Sequence, residues 1–244
     1  DIHIPYHHKK ALEIALYLMV EFKPDTIYLG GDIVDFYAVS SWLTDPTERK
    51  LNLELEELRK FLARLRQMFP KQKIFYHQGN HEERLIKYIY KKADALAPLL
   101  RYDLSIKNLF FLDKFSIEYV DGIFKIGKLY HLHGHERKFS GQVIHIALNI
   151  LRWLQRPFVC GHFHRFNSFI QREVDGSLKG GWVSGTFLEL KSMPTPYEKI
   201  DTNQFGFLKI SYDEDGYFFV EPVIFIPVNQ NSFLVKINGE ILKF

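Results

Sequence analysis

The sequence predicts an α/β fold in which two mixed β-sheets pack face to face, flanked by helices. In the first half of the chain, short β-rich runs alternate with amphipathic helical runs. From Phe166 to the end the pattern is almost entirely β, with turn signals such as Asn238-Gly239. This mixture favours two layers of sheet with helices outside them. With 46% apolar residues the chain can build a sizeable core, and we expect one domain over residues 1–244.

Helices are predicted where apolar residues recur every three or four positions. The predicted helical runs span residues 11–22, 48–69, 82–93 and 141–155. Residues 94–114 have no clear period, contain Pro98 and are predicted to be irregular or partly helical.

Strands are predicted for short runs rich in β-branched and aromatic residues. These runs span residues 26–29, 74–77, 128–132 and 157–160. Residues 116–120 and 123–126 flank Asp121-Gly122, and this pattern predicts a β-hairpin. The β-rich remainder, residues 166–244, is expected to complete the second sheet.

Charge and cysteine content narrow the function classes. The net charge of +3 is mildly basic and does not by itself indicate a nucleic-acid partner. Cys160 is the single cysteine, which excludes an internal disulfide framework and fits a reducing compartment such as the cytoplasm. No apolar run approaches the roughly 18 residues of a membrane helix.

Five clusters of potential metal ligands follow strands or candidate strands. In chain order they are Asp1-x-His3, Gly31-Asp32-x-x-Asp35, Gly79-Asn80-His81-Glu82, His133-Gly134-His135 and Gly161-His162-x-His164. Loops at the carboxyl ends of strands are where α/β folds build their sites. Oxygen and imidazole donors without a thiolate suit Mn, Fe, Zn or Ni rather than a structural zinc site.

The central cluster illustrates the alternative reading of these motifs. Asn80 offers a carbonyl oxygen to a metal and His81 a nitrogen that titrates near neutral pH. Taken alone, an Asn-His pair in a strand-to-helix turn is also typical of a helix cap or a solvated loop. The four other clusters are what favour a metal site.

This set and order of motifs closely resembles the calcineurin-like metallophosphoesterase superfamily, over residues 1 to 165. The resemblance implies a four-layer α/β/β/α fold. Compact bacterial and phage-type members are the most similar in length and in the opening Gly79-Asn80-His81-Glu82-x-Arg84. In such proteins the first motif ends a central strand, so we expect roughly five further residues ahead of Asp1.

The resemblance implies two divalent metal ions, with manganese expected first and Fe, Zn or Ni as alternatives. It assigns one ion to Asp1, His3, Asp32 and His164, and the other to Asp32, Asn80, His133 and His162. Asp32 would then bridge the two ions. A bridging carboxylate is physically reasonable because two cations ~3.5–4 Å apart repel each other and need anionic charge between them.

The resemblance also implies a mechanism. A hydroxide bridging the two ions would attack the phosphorus directly, with no covalent phosphoenzyme. His81 would sit near the leaving-group oxygen and Asp35 would orient its ring. Glu82 is expected to support the ligands or to begin the helix.

The expected substrate is a phosphodiester, such as a nucleotide or single-stranded nucleic acid. Aromatic residues near the motifs could stack on a base or simply pack; they are Tyr6, Phe36, Tyr37 and Trp42. Arginines that closely follow the motifs could clamp a phosphate; they are Arg84, Arg137 and Arg165. Of these residues, Tyr37, Arg84 and Arg165, together with His135, are the predicted substrate contacts.

Two subfamilies fit the sequence poorly. The protein Ser/Thr phosphatases have Arg-Gly where Phe36 and Tyr37 stand, so a phosphoprotein substrate is disfavoured. Lipid A precursor pyrophosphatases have Arg in place of His81 and an acidic residue in place of His135. The alternatives that stay open are a phosphomonoesterase and a catalytically silent scaffold, although the complete ligand set argues against the latter.

The remaining histidines are not assigned to the predicted metal site. His77 and His145 are expected to be structural. His131 could support a ligand or be structural. His7 and His8 could line the entrance of the site or be solvated.

Overall fold

The computed structural model describes residues 1–139, 143–174, 176–194 and 201–244. Its α-helices are α1 (Lys9–Phe22), α2 (Leu51–Met68), α3 (Glu82–Lys92), α4 (Ile106–Phe110) and α5 (Ile146–Leu154). Segments of 3-10 helix occur at Tyr37–Val39, Pro46–Glu48, Asp94–Arg101, Val143–His145 and Leu190–Ser192.

The strands fall into three groups along the chain. They are β1 (Thr26–Leu29), β2 (Lys73–His77), β3 (Glu118–Val120), β4 (Phe124–Ile126), β5 (Leu129–His131), β6 (Phe158–Cys160), β7 (Asn167–Arg172), β8 (Leu178–Val183), β9 (Phe205–Tyr212), β10 (Phe218–Asn229), β11 (Ser232–Ile237) and β12 (Glu240–Lys243).

The first sheet is parallel, in the order β1-β2-β3. Thr26 is paired with Lys73, so β1 and β2 end at the same edge. Residues 1–4 run beside this edge, because Ile4 forms a parallel bridge with Val34. The chain therefore brings its first three motifs to one end of one sheet.

The second sheet has the order β4-β5-β6-β8-β7. Strands β5, β6 and β8 are parallel neighbours, so the segments after β5 and β6 leave the same edge. The ring of Tyr28 on β1 lies against His131 on β5, with centroids 4.6 Å apart. Phe75 on β2 lies against Phe124 on β4 at 5.1 Å. These contacts hold the first two sheets face to face, as predicted.

The last four strands pair with one another as an antiparallel sheet, β12-β11-β10-β9. Alternate residues on β10 and β11 point into the main core, among them Val223, Phe225 and Phe233. Phe22 on α1 contacts Phe207 on β9. Strands β7 and β8 therefore extend the second sheet as expected, but the same expectation for the rest of residues 166–244 is wrong, because β9–β12 form a third sheet that packs against α1.

The predicted hairpin around Asp121-Gly122 is wrong. Strand β3 pairs with β2 in the first sheet, and β4 pairs with β5 in the second. The turn, with Gly122 at φ 69°, carries the chain from one sheet to the other. A turn signal marks where a strand ends but does not identify the strand that it pairs with.

The helix predicted from residue 141 begins at Ile146, after the 3-10 turn Val143–His145. Residues 140–142, at its predicted start, lie outside the described residues, as does Asp175 of a predicted turn. Helix α2 buries Leu58, Leu62 and Leu65 of its predicted apolar stripe. Helix α5 packs on the second sheet through Ala147, Ile150 and Leu151, with Phe158 and Val183 among their neighbours.

Candidate metal centre

The predicted ligands converge where the two sheets present their carboxyl ends. Within the part of the chain that the structure describes, three groups of side chains place their donor atoms within 4.8 Å of one another. They are Asp1, His3 and His164; His3, Asp32 and His81; and Asp32, His133 and His162. Asp32 belongs to two of these groups, and its carboxylate lies between histidines from both sheets.

Asn80 lies beside the group formed by Asp32, His133 and His162. Its Oδ1 lies 3.2 Å from Nε2 of His133, and that nitrogen lies 3.2 Å from Oδ2 of Asp32. An amide oxygen, a carboxylate oxygen and an imidazole nitrogen thus face the same small volume. All three are ligand types that bind divalent transition metals.

The backbone is held in an unfavourable conformation at four of the predicted ligands. The φ angles are 59° at His3, 51° at Asp32, 70° at His162 and 58° at His164. Positive φ is uncommon for residues other than glycine, and such conformations concentrate at functional sites. Here they turn the side chains of successive loops toward a common centre.

Three glycines in the motifs are required by close approach, and the first is Gly31, where a Cβ would lie 2.5 Å from Nδ1 of His133. A Cβ at Gly79 would collide with the carboxylate and backbone nitrogen of Asp32, and a Cβ at Gly161 would collide with the carboxylate of Asp1. By contrast, a Cβ at Gly30 would meet no atom within 4 Å. The pairing of a glycine with a ligand in these motifs therefore has a steric cause at positions 31, 79 and 161.

The protonation pattern fits bound cations. Nδ1–H of His133 donates to the carbonyl oxygen of Gly30 at 2.8 Å, so the lone pair of Nε2 faces Asp32 and Asn80. Nδ1–H of His3 donates to Oδ2 of Asp35 at 2.9 Å, which likewise directs Nε2 into the site. Second partners of this kind fix the tautomer of metal-binding histidines.

The group of Asp1, His3 and His164 contains an unsatisfied acceptor. Oδ1 of Asp1 is buried and has no hydrogen-bond partner among the described residues. It lies 3.5 Å from Nε2 of His164, which in turn lies 3.1 Å from Nε2 of His3. Burial lowers the pKa of His164 and of His162 to about 3, so both rings are neutral near pH 7. Neutral imidazoles and an orphaned carboxylate oxygen form a donor set suited to a cation.

Asp35 contacts more groups than predicted. Its carboxylate accepts from His3, while Nδ1–H of His81 donates to the Asp35 backbone oxygen at 2.8 Å and lies 3.3 Å from Oδ2. Asp35 thus orients a predicted ligand as well as His81. Burial would raise its pKa, but the His81 charge and the His3 hydrogen bond outweigh burial and lower it.

Arg84 lies at the site but is bonded to protein groups. Its Nη2 donates to Nε2 of His81 at 2.8 Å, and its Nη1 donates to the backbone oxygen and Oδ1 of Asp35 at 2.9 and 3.1 Å. Because a guanidinium can only donate, Nε2 of His81 accepts in this arrangement. The structure therefore places Arg84 against the predicted catalytic pair.

Two glutamates, one buried and one partly exposed, hold the ligand loops together. Glu82 accepts from the backbone N–H groups of Asp32 and Ile33 at 3.0 Å and of Gly79 at 2.8 Å, and from the Tyr76 hydroxyl at 2.7 Å. It begins α3 and ties the second motif to the third.

The second of these glutamates, Glu136, was not singled out from the sequence. Its two carboxylate oxygens accept from the N–H groups of His133 and Gly134, each at 2.7 Å. The available signal was an acidic residue three positions after a ligand at a strand end, a spacing that allows a side chain to reach back to the backbone.

The other predicted substrate contacts have mixed outcomes. Tyr37 is fully buried against Leu188 and Met193, so its predicted stacking on a base is wrong in this conformation. Its loop packs inward because the backbone N–H groups of Tyr37 and Ala38 bond to buried Glu54 on α2. Phe36 is equally buried, whereas Trp42 is 68% exposed.

His135 and the two other arginines lie at the edge of the cluster or away from it. Nε2 of His135 lies 3.0 Å from Glu83, and its ring centroid lies 5.2 Å from that of His133. Arg165 donates to the Thr202 hydroxyl. The guanidinium of Arg137 lies over the Trp153 ring at 5.8 Å.

Three of the remaining histidines, His8, His77 and His131, have structural partners. Nδ1 of His8 accepts from the N–H of Ala11 and caps α1. His131 lies 3.1 Å from the Tyr212 hydroxyl, and His77 bonds to the Tyr28 hydroxyl. Burial lowers the pKa of both His77 and His131 to about 4.

Comparison with known families agrees with this geometry. The family model described as calcineurin-like phosphoesterase matches residues 1–178. The chain belongs to the calcineurin-like phosphoesterase family. The family is one of metal-dependent phosphoesterases, and the match includes all five ligand motifs. The resemblance read from the motifs is therefore confirmed.

Curated relatives include two phage proteins. The gene 54 protein of Mycobacterium phage L5 is 26% identical over 172 residues, which is 68% of this chain and 67% of that protein. The gene 54 protein of Mycobacterium phage D29 is 25% identical with the same coverage. These relatives agree with the expected similarity of the sequence to phage-type members of the family.

Solved structures with some likeness include two of Vps29 from Entamoeba histolytica. A single mutant is 17% identical, covers 52% of this chain and 67% of its own, and has a TM-score of 0.27. The wild type in complex with zinc is 13% identical, covers 57% and 74%, and has a TM-score of 0.30. Structural similarity at this level does not bear on the function of this chain.

None of the described helices has both the length and the apolar character needed to cross a membrane.

Proposed function

We propose that this chain is a phosphodiesterase with two divalent metal ions, manganese first and Fe, Zn or Ni as alternatives. One ion would be held by Asp1, His3, Asp32 and His164, and the other by Asp32, Asn80, His133 and His162. The observation that carries the proposal is the position of Asp32, whose carboxylate belongs to donor groups on both sides. A shared anion is what two neighbouring cations need.

Such a pair of cations, when bound, activates water and neutralises charge on the phosphate. The chain's own residues would then position the substrate and supply the proton. His135, with its ring at the rim of the ligand cluster, and Arg165 are proposed to contact the phosphate ester. Trp42, which is exposed, takes over from Tyr37 as the proposed stacking residue.

His81 is the proposed proton donor to the departing oxygen. Its Nδ1 is fixed on the Asp35 backbone oxygen, which leaves Nε2 to face the site at 3.7 Å from Oδ2 of Asp32. Arg84 now donates to that nitrogen, so Arg84 must move away and Nε2 must take up a proton from water before His81 can donate a proton there. A phosphate oxygen is a strong acceptor for a guanidinium, and we propose that substrate draws Arg84 away.

Two other functions stay open. A phosphomonoesterase would use the same ligands, and a silent scaffold would keep the fold without turnover. The buried donors argue against a scaffold, since an orphaned carboxylate oxygen such as Oδ1 of Asp1 destabilises the fold unless it has a ligand. We also propose that residues 1–244 act as one domain and, from the single Cys160, that the protein works in the cytoplasm.

The test is hydrolysis by purified protein that has been stripped of metal and then reloaded with Mn²⁺. We expect turnover of bis-nitrophenyl phosphate to exceed that of nitrophenyl phosphate, and Asp32→Asn to abolish both. Asp25→Asn, an exposed position just before β1 and at the opposite end of that strand from Asp32, is the matched control for an acid-to-amide change. Faster turnover of the monoester would favour the phosphomonoesterase, and no metal-dependent turnover of either ester would favour the scaffold.

A further inference from the structure

Helix α3 begins inside the metal centre and runs away from it. Its inner face buries Glu82, Leu85 and Ile89. Arg84 is on the opposite face, where it contacts His81. At 3.6 residues per turn, positions three, four and seven after Arg84 lie on this same outer face. They are Lys87, Tyr88 and Lys91, which we call the outer stripe.

The outer stripe combines an exposed aromatic ring with cations. Tyr88 is 40% exposed, and Lys87 and Lys91 on either side of it are also exposed. An isolated tyrosine on a solvated helix face would need no explanation by itself. What distinguishes this one is its place, one turn beyond a side chain that contacts the candidate catalytic histidine.

The acidic groups of α3 are already engaged. Glu82 is buried and accepts from backbone N–H groups, and Glu83 is bonded to His135 and Lys87. Among the residues that the structure describes, neither Lys91 nor Lys92 has an acidic partner within ion-pair distance. The last turn of the helix therefore presents uncompensated positive charge, whereas Lys87, nearer the site, is paired with Glu83.

We propose that the outer stripe binds the single-stranded flank of a nucleic-acid substrate, with Tyr88 stacked on a base and Lys91 at a phosphate. The proposal rests on the proposed phosphodiesterase function. Sequence-tolerant binding of single strands combines aromatic stacking with backbone cations in this way. The cations complement a polyanion, whereas the lone aromatic ring offers too little apolar surface for a protein partner.

The geometry also sets a substrate length. Lys91 is seven residues beyond Arg84, about 10 Å along the axis at ~1.5 Å per residue. A stacked strand advances ~3.4 Å per nucleotide, so this distance corresponds to about three nucleotides. Affinity should therefore increase until the flank beyond the scissile phosphate reaches about three nucleotides, and then level off.

The chain supplies matched controls. Tyr90 is 61% exposed but is turned about 200° from Tyr88, since each residue advances ~100°. Lys92 cannot serve as the control for Lys91, because it lies four residues after Tyr88 and therefore neighbours that ring on the helix surface. Lys236 is also exposed but lies on β11, in another sheet. The test compares Tyr88→Ala with Tyr90→Ala, and Lys91→Gln with Lys236→Gln, in the metal-loaded protein.

Two substrates separate flank binding from chemistry. Among oligothymidylates of two to eight nucleotides, Tyr88→Ala should raise KM about 5- to 150-fold for the strands that reach the stripe, the range for loss of one stacked base, and should leave KM for the dinucleotide unchanged. Lys91→Gln should reduce the slope of log affinity against log salt by about 0.7, the value for one single-strand phosphate contact. Both variants should leave turnover of bis-nitrophenyl phosphate unchanged, and the two controls should match the wild type on both substrates.

The outcomes distinguish this proposal from the proposed function. Equal KM for Tyr88→Ala and Tyr90→Ala, or no length dependence beyond a dinucleotide, would overturn the outer stripe even when small diesters are hydrolysed. If no diester is hydrolysed, the phosphodiesterase proposal fails. Fluorescence anisotropy of a labelled octathymidylate then tests the stripe directly. A Tyr88→Ala variant that binds the strand normally but dissociates a dimer in analytical ultracentrifugation would assign this face to a second copy and overturn the proposal.

Discussion

Replacing Glu82 by glutamine should destabilise the fold and loosen the metal centre together. Oε1 of Glu82 accepts from Ile33 N–H at 3.0 Å and from the Tyr76 hydroxyl at 2.7 Å, and Oε2 accepts from Asp32 N–H at 3.0 Å and Gly79 N–H at 2.8 Å. A glutamine keeps one acceptor oxygen, so its NH₂ group must face two of these donors.

The size of the effect follows from those contacts. Two hydrogen bonds to a charged acceptor are lost, each contributing about 1.5–3 kcal/mol, and the remaining pair loses its charge assistance. We expect the free energy of unfolding to fall by about 3–5 kcal/mol, and the melting temperature by roughly 10 °C for a chain of this length. Metal affinity should fall as well, because the released N–H groups belong to Asp32 and to the glycine beside Asn80.

The assay is thermal and urea unfolding followed by circular dichroism, with metal affinity measured on the folded protein. Glu83→Gln is the matched control, since Glu83 is the next residue on α3, is partly exposed and contacts only side chains among the described residues. A loss below about 1 kcal/mol for Glu82→Gln, or the same loss for both variants, would refute the role assigned to Glu82.

Three further predictions follow from single contacts. His81→Ala should slow esters of ordinary alcohols by ~10²–10⁴-fold and nitrophenyl esters much less, as kinetics with matched esters would measure; equal losses would remove the proton-donor role. Gly161→Ala should displace the Asp1 carboxylate and weaken metal binding measured by calorimetry. Gly30→Ala should leave metal affinity unchanged, because the added Cβ meets no atom within 4 Å. Equal losses of metal affinity in the two variants would contradict the steric argument. Burial raises the pKa of Glu54 to about 7 from its ordinary value of 4.5. The wild type should therefore lose up to about 3 kcal/mol of stability between pH 4.5 and 7, and Glu54→Gln should remove this dependence in urea titrations. Parallel curves of unfolding free energy against pH for the two proteins would contradict the prediction.

Local patterns identified the elements and the clusters because each depends on neighbouring residues. Helix α1 was predicted within two residues of its observed limits, and the clusters at residues 32, 80, 133 and 162 all follow strands. Parallel strands end at one edge, so their following loops had to meet. For this reason, residues that lie far apart in the chain could be predicted to share one site.

The failures have a common physical cause, which is dependence on tertiary partners. The turn at Asp121-Gly122 was recognised, but strand pairing across it was not encoded locally. Tyr37 was expected to contact the substrate because it closely follows the Asp32–Asp35 motif, whereas buried Glu54 draws its loop inward. The contacts of Arg84 with His81 and of Glu136 with the His133 backbone likewise depend on how separate loops meet.

The central claim is that Asp32 is shared by two metal ions, and metal content measures this most directly. After reconstitution with Mn²⁺, elemental analysis of the wild type should give two ions per chain. Asn80→Ala should give one ion, because only the second set loses a donor, and Asp32→Asn should weaken binding of both. One ion in the saturated wild type, or two tightly held ions in Asp32→Asn, would contradict the account.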